Sequence, residues 1–169
     1  MTTTASTSSG KSTTRSTTTR RTKHDAIKLL IDDHDKVKKM FKEYKKLAEK
    51  NDENGKEELA TQICTELTVH AQLEEEIFYP AVREGIDDDD LMNEAMVEHA
   101  EAKGLIAQIQ SMSASDPMYD ATVTVLGENI NHHIEEEQKE MFPKVQKLNM
   151  DLEELVFKMT ERKATLIED

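Results

Sequence analysis

The stretch His70-Ala-Gln-Leu-Glu74-Glu-Glu-Ile-Phe-Tyr-Pro80 decides the reading of this chain. His70 and Glu74 stand four residues apart, a spacing that puts an imidazole and a carboxylate on one face of an α-helix. The same face carries Ile63, Leu67, Ile77 and Ala81, an apolar stripe at steps of three or four residues. A carboxylate on such a stripe is costly to bury alone. Its complement comes 63 residues later, where His133, Glu137 and Pro143 repeat His70, Glu74 and Pro80. Phe78-Tyr79-Pro80 is likewise echoed by Met141-Phe142-Pro143. Upstream of each motif stands one more histidine on an apolar stripe, in Asp33-His34 and again in Glu98-His99. The chain therefore reads as a helix with His followed by a helix with His-x-x-x-Glu, twice over. A helical hairpin repeated once can close into a four-helix bundle with a pseudo-two-fold axis.

Outward from these motifs the periodicity predicts four long helices, over residues 24–50, 56–84, 88–113 and 117–148. Asn51 to Gly55 reads as a stop and turn, Gly85 as the end of the second helix, and Asp87 to Asp90 as caps for the third. Ser115-Asp116-Pro117 is expected to open the fourth, with Pro in the first helical turn. Met92, Ala95, Met96, His99, Ala102 and Ile106 form the expected stripe of the third helix, and most methionines are expected in the core. Pro80 and Pro143 fall inside predicted helices, where kinks or early ends are expected. Leu152, Leu155, Val156 and Met159 suggest a short fifth helix packed on the outside. The fold class is all-α: an antiparallel up-down bundle over residues 24–150, with a C-terminal helix over 151–169.

Composition agrees. Helix formers dominate the 169 residues, Gly and Pro are few, and Trp is absent. Residues 1–23 are a different material, mostly Thr and Ser with Lys11, Arg15, Arg20, Arg21 and Lys23 and no acid. Such a tail is expected to be disordered. Removing its five positive charges from the net −13 leaves −18 on the remainder. That balance speaks against nucleic acid as a partner, apart from weak contact through the basic tail. No apolar run reaches the ~18 residues of a membrane helix, and no secretory-signal pattern is visible, so a cytoplasmic monomer or homodimer is expected. The lone Cys64, among apolar neighbours, reads as a buried small side chain.

In an antiparallel bundle His34, His70, Glu74, His99, His133 and Glu137 fall at similar depth, within about one turn of roughly 5.4 Å. Imidazole with carboxylate suits iron, zinc, copper or manganese rather than calcium or magnesium. Two carboxylates can bridge two ions while two histidines terminate each. With one oxo or hydroxo bridge each ion then has five donors, leaving one place on an octahedral ion for a small molecule such as O₂. His132 with Glu136 has the same spacing as His133 with Glu137. That pair, however, shares its face with Asn129 and Lys139, whereas His133 and Glu137 share Ile130 and Met141. His133 is therefore the expected inward residue.

These four segments, with His132-His133-Ile-Glu-Glu-Glu137, resemble the bacterial hemerythrin-like proteins, the HHE cation-binding domain family, over roughly residues 24–160. The resemblance implies a four-helix bundle around a non-haem di-iron centre that reacts with O₂, zinc or manganese being less favoured. It implies bridging carboxylates at Glu74 and Glu137 and terminal imidazoles at His34, His70, His99 and His133. The O₂-carrying hemerythrins have a fifth histidine one turn after the position of His99, where this chain has Lys103, and an aspartate where this chain has Gln138. O₂ binding, oxygen sensing, iron handling and turnover of peroxide or another oxidant all stay open, as does a zinc-binding or metal-stabilised interaction bundle. The Glu-x-x-His signature of ferritin-like bundles is absent, with Leu67, Met96 and Ile130 at the relevant places.

Overall fold

The computed structural model describes residues 25–168; the tail expected over residues 1–23, and His24, lie outside the described residues. Among these residues every regular element is a helix: α1 (Ala26–Glu49), α2 (Glu53–Leu73), α3 (Tyr79–Ile86), α4 (Asp89–Ser111), α5 (Tyr119–Glu136), α6 (Phe142–Val145) and α7 (Leu152–Glu168). A π-helical turn over Glu74–Phe78 joins α2 to α3, and another over Glu137–Met141 joins α5 to α6. Each joined set is one continuous rod, so the bundle has four long members with α7 outside them. The hairpins α1–α2 and α4–α5 pack α1 on α5 and α2 on α4, and α7 lies against α1 and α2.

The helix ends obey local chemistry. Asp25 accepts from the Lys28 amide at 3.0 Å to start α1, Asp52 accepts from Gly55 to start α2, and Asp88 accepts from Leu91 to start α4. Each side chain satisfies an amide that the first turn leaves without a partner. Two expected stops move. Gly55 lies inside the first turn of α2, and Gly85 lies inside α3. The left-handed positions fall instead to Asn51 (φ 53°) and Asp87 (φ 50°), residue types that tolerate that region through their short polar side chains. What Gly85 supplies is room: a Cβ there would stand 2.7 Å from Leu148 Cδ1. Pro117 does not open α5. It sits in the preceding turn, where Asp116 accepts from Met118, and the helix begins at Tyr119.

Helix continues past both prolines, to Ile86 in α3 and to Val145 in α6. Proline has no amide hydrogen, and its ring crowds the carbonyl four residues back. Here the turn before each proline is wide, closed by bonds from Tyr79 N to Glu74 O and from Phe142 N to Glu137 O. Each wide turn begins at the glutamate of its His-x-x-x-Glu motif. A turn of this kind holds one extra residue and so rotates the faces of the helix beyond it. Past Glu74 the buried face therefore runs through Phe78, Tyr79 and Val82, while Ala81, expected on the stripe, is exposed. Met96 also leaves its expected stripe and is 42% exposed. Met40, Met92, Met141 and Met159 are buried, as is Cys64, whose thiol burial pushes up to about 11.

The core has two apolar clusters. One packs Phe41, Ile63, Leu67, Ile106, Leu126 and Ile134. The other packs Leu30, Leu73, Phe78, Met92 and Phe142, closed from outside by Leu155 and Met159 of α7. Among the described residues the buried histidines and glutamates lie on these same helices, His34 between Leu30 and Val37, and Glu137 between Ile134 and Met141.

Candidate metal centre

All six side chains expected to converge do so. His34, His70, Glu74, His99, His133 and Glu137 are each less than a tenth exposed, with Glu74 at 0% and Glu137 at 1%. The Nε2 atoms of His34 and His70 stand 3.1 Å apart, as do those of His99 and His133. Glu74 faces both pairs at once, Oε1 lying 3.2 Å from His70 Nε2 and Oε2 3.2 Å from His99 Nε2. Glu137 Oε2 lies 3.2 Å from His34 Nε2 and 3.6 Å from His133 Nε2. Between His132 and His133 the structure chooses the second: the His132 side chain is 65% exposed and that of His133 5%.

Donors held about 2.1 Å from one ion are about 3.0 Å apart at a right angle and about 3.4 Å apart at a tetrahedral angle. The separations fall in or beside that range. Glu74 Oε1 and Glu137 Oε2 are buried and accept no hydrogen bond, although buried carboxylate oxygens are normally satisfied. Two orphaned carboxylate oxygens facing imidazole nitrogens fit a bound cation. Two groups of donors could hold one, His34, His70, Glu74 and Glu137 in the first and Glu74, His99 and His133 in the second.

The expected two-fold symmetry is broken, and Tyr79 breaks it. Its hydroxyl donates to Glu137 Oε1 at 2.8 Å, and stands 3.3 Å from His99 Nε2 and 3.5 Å from Glu74 Oε2. Glu137 thus turns one oxygen to the histidines and the other to the phenol, whereas Glu74 turns both to histidines. The counterpart of Tyr79 in the repeat is Phe142, whose ring stacks on His34 at 5.9 Å and 6°. Burial, and then the charges of Glu137 and Glu74, raise the Tyr79 pKa well above 10. Sequence reasoning did not place Tyr79 in the site. The available signal was a tyrosine opposite a phenylalanine in a repeat that otherwise matches.

Outer carboxylates hold two of the four imidazoles. His133 Nδ1 donates to Glu98 Oε2 at 2.7 Å and His99 Nδ1 to Glu75 Oε1 at 2.9 Å. The Gln138 amide nitrogen stands 3.1 Å from His34 Nδ1, whereas Asp33 Oδ2 is 3.6 Å from His70 Nδ1, which makes no hydrogen bond. A carboxylate on Nδ1 keeps the hydrogen there and leaves Nε2 with a free lone pair, the tautomer a metal needs. Lys103 does not enter the site: its ammonium binds Glu75 at 2.6 and 2.7 Å. Lys163 of α7 binds Asp33 at 2.5 and 2.6 Å, so the fifth helix reaches the outer partners too.

Charge is concentrated here. Burial alone would lower the pKa of His70, but Glu74, Asp33 and Glu137 outweigh it and raise it to about 10. His133 is raised to about 9 in the same way, chiefly by Glu137 and Glu98. Burial would raise Glu74, yet His70 and His99 hold it well below the usual carboxylate range. Beside the imidazoles is a cavity of about 30 Å³, walled by Val37, Leu67, Ala102, Ile106, Ile130 and Ile134. That is room for about one or two molecules the size of water.

Residues 25–145 match the family model described as the hemerythrin HHE cation-binding domain. The chain belongs to that family. Among curated proteins, a DNA nickase of Nostoc sp. is 34% identical to this HHE-domain chain over 132 residues, 78% of the chain. The chain spans about a third, 36%, of that relative's length. A solved hemerythrin HHE cation-binding-domain protein from Mycobacterium kansasii superposes with a TM-score of 0.70 at 22% identity. That match covers 84% of this chain and 86% of the other, and speaks for the fold. No helix among the described residues is long and apolar enough to cross a membrane.

Proposed function

We propose that this hemerythrin HHE domain holds two iron ions at the six-residue cluster and binds O₂ or a related small oxidant beside them. The carrying observation is the Glu74 carboxylate, each of whose oxygens faces a different histidine pair at 3.2 Å. Iron held there supplies a redox centre with room for one small exogenous ligand. The chain supplies the rest. Glu98 and Glu75 hold His133 and His99 with Nε2 turned inward. The apolar wall of the cavity disfavours bulk water and suits a small uncharged molecule. The choice of iron over zinc or manganese rests on the family, since the ligand types accommodate all three.

A second reading, turnover of peroxide, draws on Tyr79. Its hydroxyl is a hydrogen-bond donor inside the cluster, on the side of His99, placed to orient a small oxidant. The nickase activity named for the Nostoc relative is not adopted, because a net charge of −13 opposes approach to a phosphate backbone. A cytoplasmic setting, as a monomer or homodimer, belongs to the same proposal.

Metal analysis of protein purified without added metal, with an optical spectrum in air and after reduction, tests the reading. Two irons per chain, with absorption that depends on oxidation state, are expected. Zinc as the resident metal, or a colourless protein, would overturn it. Repeated O₂ binding and release without peroxide loss supports the first reading, and sustained peroxide loss supports the second.

A further inference from the structure

Outside the buried cluster, α4 and α5 bring together a second set of metal-binding side chains. His132 Nε2 lies 3.2 Å from Glu136 Oε1 and 3.5 Å from Glu98 Oε1. One donor atom from each of the three residues lies within 4.8 Å of the others. His132 and Glu136 are four apart on one helix, the same spacing as the buried His-x-x-x-Glu pairs, while Glu98 comes from the neighbouring helix. Glu98 is already oriented, because its Oε2 accepts from His133 Nδ1 at 2.7 Å. That bond leaves Oε1 turned to His132. The three members are partly exposed, so water can complete a coordination shell.

We propose that Glu98, His132 and Glu136 form a third, solvent-facing site for a divalent transition-metal ion, sharing Glu98 with the buried centre. One imidazole and two carboxylates suit Zn²⁺, Co²⁺, Mn²⁺ or Fe²⁺. The separations of 3.2 and 3.5 Å bracket the spacing of about 3.4 Å expected around a tetrahedral ion. Glu98 then holds an ion through one oxygen and a histidine of the buried centre through the other. The ordinary alternative is a surface contact of His132 with two carboxylates and no ion, and the two assignments differ in metal stoichiometry.

The test is equilibrium dialysis of the full chain against Zn²⁺, with bound metal counted per chain, for the native protein, His132→Ala and Glu136→Gln. His132 is largely exposed, so its replacement leaves the core intact, and helical circular dichroism checks both variants. Three equivalents in the native protein and two in each variant are expected. With Co²⁺, the His132 ring protons should undergo paramagnetic shifts as the third equivalent binds. A native count of two that His132→Ala leaves unchanged overturns this site and leaves the buried centre standing. A third equivalent that survives both substitutions also overturns it. A native count of one that His132→Ala abolishes supports the outer site and overturns the two-metal reading of the buried cluster.

Discussion

Glu75 accepts a hydrogen bond from His99, Oε1 lying 2.9 Å from Nδ1. The same place in the other half of the repeat belongs to Gln138, 3.1 Å from His34 Nδ1. One imidazole thus donates to a carboxylate that Lys103 also holds, and its counterpart meets the amide nitrogen of a neutral side chain. A charged acceptor makes an imidazole a stronger donor to a metal. Glu75→Gln should weaken metal retention roughly 10–100-fold, read as the rate of metal loss to a chelator. Gln138→Glu should slow that loss. Equal rates in all three proteins would show that the outer partners do not tune the site.

Removal of metal should cost stability. Without a cation, Glu74 and Glu137 stay buried with only imidazoles facing Glu74 Oε1 and Glu137 Oε2, at 3.2–3.6 Å. A ligand that binds only the folded state raises the melting temperature by mass action. The metal-free protein should therefore melt lower than the loaded one at neutral pH by differential scanning calorimetry. Equal melting temperatures would contradict a site coupled to the core.

The metal-free protein should bind metal more tightly as pH rises. His70 is raised to about 10 and His133 to about 9, so both carry protons at neutral pH that a metal must displace. Affinity should fall by up to about tenfold per imidazole for each pH unit below these values. The effect on metal-free stability has the opposite sign. A pKa raised by folding stabilises fully below the unfolded value of about 6.5, and that contribution is lost as pH climbs through 9–10. Chelator competition across pH 6–9 tests the first statement, and urea unfolding of the metal-free chain tests the second. A flat affinity profile would contradict the charge assignment.

Tyr79→Phe removes the donor to Glu137 Oε1 without removing the ring. In the metal-free protein this should cost about 1–3 kcal/mol, because a buried acceptor is left unpaired. In the loaded protein the optical spectrum should shift while the metal count is unchanged. An unaltered spectrum would show that the hydroxyl acts only on the metal-free fold.

Gly104→Ala tests the scaffold apart from the site. Gly104 is an exposed residue in the middle of α4, and a Cβ there meets nothing within 4 Å. Alanine should add about 0.5–1 kcal/mol through helix propensity alone. Chemical denaturation should show a higher midpoint with unchanged metal content. Gly127→Ala is the contrasting case, since its Cβ would stand 3.1 Å from the Phe41 ring.

The all-α fold, the four rods, the outer fifth helix and the burial of His34, His70, Glu74, His99, His133 and Glu137 were all legible in the residue order. The reason is that helix periodicity is local. A step of three or four residues assigns a side chain to a face whatever lies opposite, and an internal repeat at a nearly constant offset carries that assignment to equal depth. Features that depend on a neighbouring segment escaped. The π-turns at Glu74 and Glu137 rotate the face beyond them, so Tyr79 turns into the cluster where a regular helix would present Phe78, and Val82 is buried in place of Ala81. The attachment of Lys103 to Glu75 and of Lys163 to Asp33 spans 28 and 130 residues, distances over which no helical period carries information. The Glu98, His132 and Glu136 cluster likewise exists only because α4 lies beside α5. Residue order by itself determined which faces turn inward, since that depends on bond geometry within one helix; only packing decided which side chains from different helices meet, since that depends on how the rods are set against one another.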